Sequence, residues 1–339
     1  MRDASASRDG SLTALRSGPI RALLAHLLEG GLVMPMQIGI DLGGTKIEAI
    51  GLEGQRLAAG RRRLATPREY AGTLDAIERL VLEIEAETGR SATVGIGIPG
   101  VVGHATGLVK NANSTWLNGR PLLADLERRL ARPVRLANDA NCFTLSEAID
   151  GAGREFETVF GVILGTGVGG GIAIRQRIHE GPNQIAGEWG HNPLPWMTDE
   201  ERTDAAECYC GKVGCIETFL SGPAFEREHA RVSGRQCSSE DIVRAAASHE
   251  PSALLSLERY VDRLARALAS VLNLLDPDAV VLGGGMSNLP DLSSAVAAAL
   301  PKYLFSDSAF TQIVLNVHGD SSGVRGAAWL WPADEHERG

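Results

Sequence analysis

Cys208, Cys210 and Cys215 fall within eight positions of a 339-residue chain that has only five cysteines. The spacing is C-x-C-x4-C, with Gly211 and Gly214 free to fold the backbone into a tight knuckle. Thiolates this close suit zinc, whose structural sites are closed by four cysteine or histidine ligands. His191, in "EWGHNPLPW", is the leading fourth ligand; Cys237 and Glu217 compete with it. One metal would then pin "EWGH" to "CIE" and gather Glu188, His191 and Glu217 into a rigid polar wall suited to a ligand with several hydroxyls. A histidine that binds metal through one ring nitrogen keeps the other for a hydrogen bond. Cys142 and Cys237 read as an apolar filler and a loop thiol.

A second set of residues could hold phosphate. Backbone N–H groups approach an anion closely only where side chains are missing. "DLGGTK" offers Gly43 and Gly44 as bare backbone, Thr45 as a hydroxyl and Lys46 as a cation, with Asp41 placed to hold magnesium through water. "LGTGVGGG" offers a second cradle at Gly165, Thr166 and Gly167. Gly283, Gly284 and Gly285 form a third, uncharged turn that suits the flat face of a purine. "GTGVGG" satisfies G-x-G-x-x-G, but Glu188, at the right distance for a ribose-binding acid, does not end an apolar strand. Gly44 is followed by threonine, so the Walker pattern is absent. Two phosphate loops fit a phosphotransferase better than a dehydrogenase. Such a reaction needs a carboxylate to accept the acceptor hydroxyl's proton. Asp139 in "LANDANC" is the candidate base, beside the amides of Asn138 and Asn141; an Asn/Asp helix cap is the competing reading.

Elements must carry these groups. "MQIGIDLGGTK" reads as a strand breaking into a tight turn, and "TVFGVILGTGVGGG" repeats that theme about 120 residues later. "TLDAIERLVLEIEAETG" and "LERYVDRLARALASVLNLL" carry apolar stripes at helical spacing; "TVGIGIPG", "PVRLANDAN" and "DAVVLGGG" read as buried strands. Alternating strands and helices imply an α/β fold with largely parallel sheets. The repeated strand–turn unit implies two similar halves facing each other across a cleft.

The bulk properties exclude other classes. A net charge of −9 argues against nucleic-acid or membrane-surface partners. Five cysteines do not form a secreted disulfide framework, so a cytoplasmic location is expected. Residues 1–35 are expected to be a disordered or weakly helical extension. Their apolar stretch at 22–33 is too short for a membrane span.

Taken together, "DLGGTK", "GIGIPG", "NDAN", "LGTGVGGG", "EWGH", "CYCGKVGCIE" and "DPDAVVLGGG" resemble the ROK family of bacterial sugar kinases, over about residues 36–332. The segments "VKNANSTWLNG", "GEWGHNPLPWM" and "HGDSSGVRGAAWLWP" most resemble its fructokinase (manno-fructokinase) branch; "LANDANCFTLSEA" is equally similar to its N-acetylglucosamine kinase branch. The resemblance implies a two-lobed actin-like (ribonuclease H-like) fold with a zinc knuckle, usually dimeric. The expected lobes are 36–150 with 320–339, small, and 151–319, large. Asp139 would be the catalytic base; Asn138, Glu188, His191 and Glu217 would contact the sugar; His191, Cys208, Cys210 and Cys215 would hold zinc. ATP and Mg2+ would sit at Asp41–Lys46, Gly165–Gly171 and Gly283–Gly285. The implied reaction is ATP-dependent phosphorylation of a hexose, fructose first and mannose second. N-acetylglucosamine or glucose is the alternative within the family, and a sugar-sensing regulator the alternative outside catalysis. Two departures stand out: a long segment between His191 and Cys208, and an extension too short for a winged helix-turn-helix.

Overall fold

Two five-stranded sheets of one topology make up the frame of the computed structural model, which describes residues 36–306, 308–319 and 322–332. The expectation for residues 1–35, and part of that for 320–339, lies outside the described residues. The first sheet is built from β1 (Met36–Leu42), β2 (Lys46–Glu53) and β3 (Arg56–Ala65). After helix α1 (Tyr70–Thr88) come β4 (Thr93–Ile98), a small ribbon of β5 (Val101–Val102) and β6 (Val109–Lys110), helix α2 (Leu122–Leu130) and β7 (Val134–Asn138). The order is β3-β2-β1-β4-β7, antiparallel through β1–β3 and parallel through β1, β4 and β7.

Helix α3 (Asp139–Ile149) leads to the second sheet, which opens with β8 (Thr158–Leu164), β9 (Val168–Ile174) and β10 (Arg177–Ile178). A helical stretch follows: α4 (Asp199–Thr203), α5 (Glu217–Leu220), α6 (Gly222–Ser233), α7 (Ser239–Ala247) and α8 (Pro251–Leu275). Then come β11 (Ala279–Gly283), α9 (Leu292–Ala299), β12 (Gln312–Leu315) and α10 (Ser322–Ala328). The order β10-β9-β8-β11-β12 repeats the first, with the same switch from antiparallel to parallel. The repeated strand–turn unit of the sequence is thus a repeated sheet.

Alternation along β1 sorts its side chains. Met36, Ile38, Ile40 and Leu42 join the apolar layer with Leu74, Ile77 and Leu80 of α1. Gln37, Gly39 and Asp41 face the other way, towards α10 and the chain beyond it. A Cβ at Gly39 or Gly95 would run into the backbone of α10, and one at Gly161 or Gly171 into Thr144 of α3. Bare strand positions therefore let one helix lie directly on each sheet: α10 on the first, α3 on the second. These two helices cross where a Cβ at Gly326 would meet the Cys142 carbonyl. Polar contacts lock the crossing. Ser322 Oγ donates to the buried Glu147 carboxylate at 2.8 Å, while His318 (2.6 Å) and Arg325 both pair with Asp150.

In the second half α8 buries Tyr260, Leu264, Leu268 and Leu272 against Phe160, Val162 and Leu164 of β8. It stops at Asp276 (φ 48°), one residue before Pro277, which cannot continue a helix. Among the described residues no helix is long and apolar enough to cross a membrane.

Candidate active site and metal centre

Asp139 is the first residue of α3, and the residue before it explains why the helix starts there. Asn138 has extended backbone, and its Oδ1 accepts the Ala140 N–H at 2.9 Å as the N-cap. Its Nδ2 donates to the Gly100 carbonyl at 3.3 Å, tying the end of β7 to the loop after β4. The cap reading and the site reading of "NDAN" therefore fall on neighbours: Asn138 caps and Asp139 projects. The Asp139 side chain reaches the surface, yet the surrounding protein encloses its carboxyl. That enclosure pushes its carboxyl up to about 6, with the Glu188 charge adding to the rise and the Ala140 N–H opposing it.

Asp41 closes β1 on the α10 side of the sheet, with Gly323 of α10 against its carboxylate. Burial pushes Asp41 up to about 7; the Asp139 and Glu48 charges add to this, and Lys46 opposes it. Two carboxylates within electrostatic reach, with few cations near them, suit a divalent cation with oxygen ligands. Lys46 is turned along its strand to the buried Glu48 (2.7 Å), which Arg61 (3.1 Å) and Arg63 (2.7 Å) also hold.

The two glycine turns occupy equivalent positions. Gly43–Thr45 joins β1 to β2, and Gly165–Gly167 joins β8 to β9. In the first, Gly43 N–H donates to the Lys46 carbonyl (3.0 Å). Thr66 secures this turn: its hydroxyl donates to the Gly43 carbonyl (2.7 Å) and its N–H to that of Thr45 (3.0 Å). In the second, Gly165 N–H donates to the Gly167 carbonyl (2.9 Å), and Gly222 N–H, opening α6, donates to Gly165 (2.8 Å). A Cβ on Gly165 would meet nothing within 4 Å, so its backbone faces open space. Gly284 (φ 82°) packs the turn after β11 onto the Leu164 carbonyl, which sets the third glycine turn beside the second.

The knuckle forms as the cysteine spacing predicts. Cys208 N–H donates to the Lys212 carbonyl (2.8 Å) and Gly211 N–H to Cys208 (2.9 Å), with Gly211 at φ 85° and Gly214 at φ 76°. Backbone bonds from Ile216 to Asn192 (2.8 Å) and from Leu194 to Gly214 (3.0 Å) stitch it to the "EWGHNPL" segment. His191, Cys208, Cys210 and Cys215 bring one ligand atom each to within 4.8 Å of one another. His191 Nδ1 lies 3.5 Å from Cys208 Sγ, and the Cys210 and Cys215 sulfurs are 3.6 Å apart. Three thiols and one imidazole match zinc's preferred donors and number. Of the competing ligands, Cys237 packs against the apolar layer of the second half. Glu217 Oε1 comes to 3.9 Å of Cys208 Sγ, while its Oε2 accepts the Val168 N–H at 2.9 Å. Glu217 thereby links the knuckle to the second glycine turn, and a Cβ at Gly167 would strike that carboxylate at 2.7 Å.

The long segment between His191 and Cys208 leaves this geometry intact because α8 holds it. Thr198 caps α4 in a capping box with Glu201. Burial raises the Glu201 pKa, but ion pairs with Arg266 (2.7 Å) and Arg263 (2.8 Å) outweigh it and hold the carboxyl down at about 2. Arg266 also donates to the Pro195 and Trp196 carbonyls.

The Glu188 charge acts on Asp139 and the Asp139 charge on Asp41, while Glu188 itself feels His191 and Glu217. The polar wall expected from the sequence thus adjoins the candidate base. Three residues at this site escape a reading of motifs. Thr66 follows an edge strand with no local signal. Ser114, in "NANST", buries a hydroxyl that has no partner among the described residues and lies 3.7 Å from where a Cβ on Gly44 would stand. Tyr209, set between two thiols, places its hydroxyl 3.0 Å from His191 Nε2; the C-x-C spacing itself was its one signal.

The family model that matches, over residues 37–334, is the ROK family. The chain is 41% identical over 299 residues to an N-acetyl-D-glucosamine kinase of Vibrio cholerae, covering 87% of this chain and 99% of that one. It is 40% identical over 310 residues to an N-acetyl-D-glucosamine kinase of Escherichia coli, covering 88% and 100%. Among solved structures, a ROK hexokinase from Thermus thermophilus superposes with a TM-score of 0.79 at 28% identity, covering 89% and 99%. A ROK glucokinase from Streptomyces griseus, in complex with glucose and AMPPNP, gives 0.69 at 30% identity, covering 87% and 98%.

Proposed function

We propose, from the premise that the chain belongs to the ROK family, that it is an ATP-dependent sugar kinase acting on N-acetylglucosamine. The observation that carries the sugar is 41% identity to an N-acetyl-D-glucosamine kinase over 99% of that protein. Fructose, the first expectation from sequence segments, gives way here to its stated alternative, with mannose and glucose as weaker substrates. The chemistry is supported by Asp139, which stands at the head of α3 within electrostatic reach of Asp41. A sensor that only bound sugar would not need that pair of carboxylates.

In this reading the sugar's primary hydroxyl gives its proton to Asp139 as its oxygen attacks the terminal phosphate of ATP in line, and the bond from that phosphorus to the bridging oxygen breaks to release ADP. Glu188, Glu217 and Asn138 hold remaining hydroxyls, with His191 on the same wall. The turns at Gly43–Thr45 and Gly165–Gly167 cradle the phosphates, and Gly283–Gly285 lies beside the adenosine. Asp41 would hold magnesium through water, and the ion would neutralise developing phosphate charge. His191, Cys208, Cys210 and Cys215 would hold a structural zinc. Closure of two lobes, hinged where α3 and α10 cross, would exclude water. A cytoplasmic homodimer is the setting proposed.

The test is magnesium-dependent ADP release from ATP with N-acetylglucosamine, glucose, mannose and fructose side by side. The expected order has N-acetylglucosamine first by at least about tenfold in kcat/KM, the scale that a few polar contacts to one substituent can set. A fructose preference would restore the first expectation and keep the mechanism. Sugar binding without turnover would leave a sensor.

A further inference from the structure

Deepening that reading, and resting on it, we propose that Tyr209 is a sugar-binding residue, and that its hydroxyl is how the His191 side of the wall reaches the substrate. The expectation for His191 is a direct contact through its free ring nitrogen. Yet both nitrogens are engaged: Nδ1 faces Cys208 Sγ at 3.5 Å and Nε2 faces the Tyr209 hydroxyl at 3.0 Å. The two rings meet edge to face, centroids 5.1 Å apart at 87°. Glu188 Oε2 lies 4.0 Å from the same Nε2, so the hydroxyl sits at the meeting point of two residues already assigned to the sugar.

Tyr209 is otherwise an exposed aromatic, 67% accessible, whose hydroxyl meets His191. A tyrosine hydroxyl can donate one hydrogen bond and accept others, so one bond to His191 leaves capacity for a sugar oxygen. Its backbone is fixed between two candidate zinc ligands in a turn closed by the Cys208–Lys212 and Gly211–Cys208 bonds. The main chain is therefore set before substrate arrives, and only two side-chain torsions remain to be ordered, which keeps the entropic penalty of binding small.

The experiment compares full-length wild type with Tyr209→Phe, after metal analysis and circular dichroism have shown both to be folded with equal zinc. Loss of one neutral hydrogen bond should raise the sugar KM about 3- to 10-fold, with kcat and the ATP KM within about twofold. Monodeoxy and deacetylated analogues of the sugar then test for contact. For one analogue, the one lacking Tyr209's partner, wild type and Tyr209→Phe should share the same KM. An unchanged sugar KM, or an equal loss with every analogue, would overturn the proposal. If wild type turns over no hexose, the kinase reading fails, and calorimetric sugar affinity of the two proteins decides Tyr209 by the same criteria.

Discussion

The turns at Gly43–Thr45 and Gly165–Gly167 occupy the same place in two sheets of the same order, yet the structure fastens them differently. The first is held from within its own sheet, by Thr66 at the end of the neighbouring strand. Its surroundings carry charge: Asp41 at its base, Lys46 paired to Glu48 beyond it, and Asp139 within reach. The second is held from outside, by Gly222 at the start of α6 and by the Glu217 carboxylate on Val168 N–H. Behind Glu217 lies the Cys/His knuckle. One ancestral-looking unit thus serves two tasks. The first half would concentrate the carboxylates of the proposed chemical step, while the second would couple its backbone cradle to the wall that would hold the sugar. A change near the first turn should therefore act on one function, and a change near the second on two.

The largest effect tests the charge-bearing half alone. Replacing Asp139 with Asn should lower kcat about 10^2- to 10^4-fold, the usual worth of a positioned general base. ATP and sugar affinities, measured by calorimetry, should stay close to wild type. The same residue sets the pH dependence. A base must be ionised, and Asp139 has its carboxyl raised to about 6, so kcat/KM should climb as pH rises through 6 and level off above it. Below that value, activity should fall about tenfold per pH unit for one essential proton. Full turnover in the variant, or a flat profile down to pH 5, would remove Asp139 from the chemistry.

A smaller effect tests the coupling in the second half. Cys210→Ser should drop zinc from about one ion per chain to near none, read by elemental analysis. The sugar KM should then rise at least about tenfold, because "EWGH" and "CIE" lose their common anchor. The ATP KM should rise too, since Glu217 reaches the second turn from the knuckle. A sugar defect with ATP binding untouched would show that the two are not coupled through Glu217.

How much of this is legible in the sequence depends on how local the cause is. The strand–turn units at 36–46 and 158–171 follow from short apolar runs that break into glycine, and the knuckle from ligand types at close spacing. His191 could be nominated because only one histidine stands near the thiols upstream, although the segment between them is long. Its support by Glu201 on Arg263 and Arg266 spans more than 60 residues and leaves no periodic trace. The same holds for the helix crossing. Gly39, Gly95, Gly161 and Gly171 look like ordinary strand glycines until α10 and α3 lie on them. "NDAN" was open between a cap and a base because the two roles belong to adjacent residues, and only backbone geometry separates them. The choice of sugar is less local still, resting on a few side-chain atoms that no spacing rule encodes.

The smallest effect is the sharpest probe of the first turn. Thr66→Val keeps the shape of the side chain and the N–H bond to Thr45, and removes only the hydroxyl bond to the Gly43 carbonyl. That carbonyl lies at the tip of a hairpin beside open solvent, so water can replace the lost donor and the fold should hardly be destabilised. What changes is how firmly Gly43 and Gly44 present their backbone. A single hydrogen bond of this kind corresponds to roughly 1 kcal/mol, so the ATP KM should rise about threefold to sixfold. The sugar KM should not move, because no hydrogen bond among the described residues links Thr66 to Glu188, His191 or Glu217 as Glu217 links the knuckle to the second turn. Steady-state kinetics with each substrate varied in turn would read both values. A parallel rise in the sugar KM would mean that the first turn, like the second, is tied to the sugar wall, and the division of tasks between the two halves would fall.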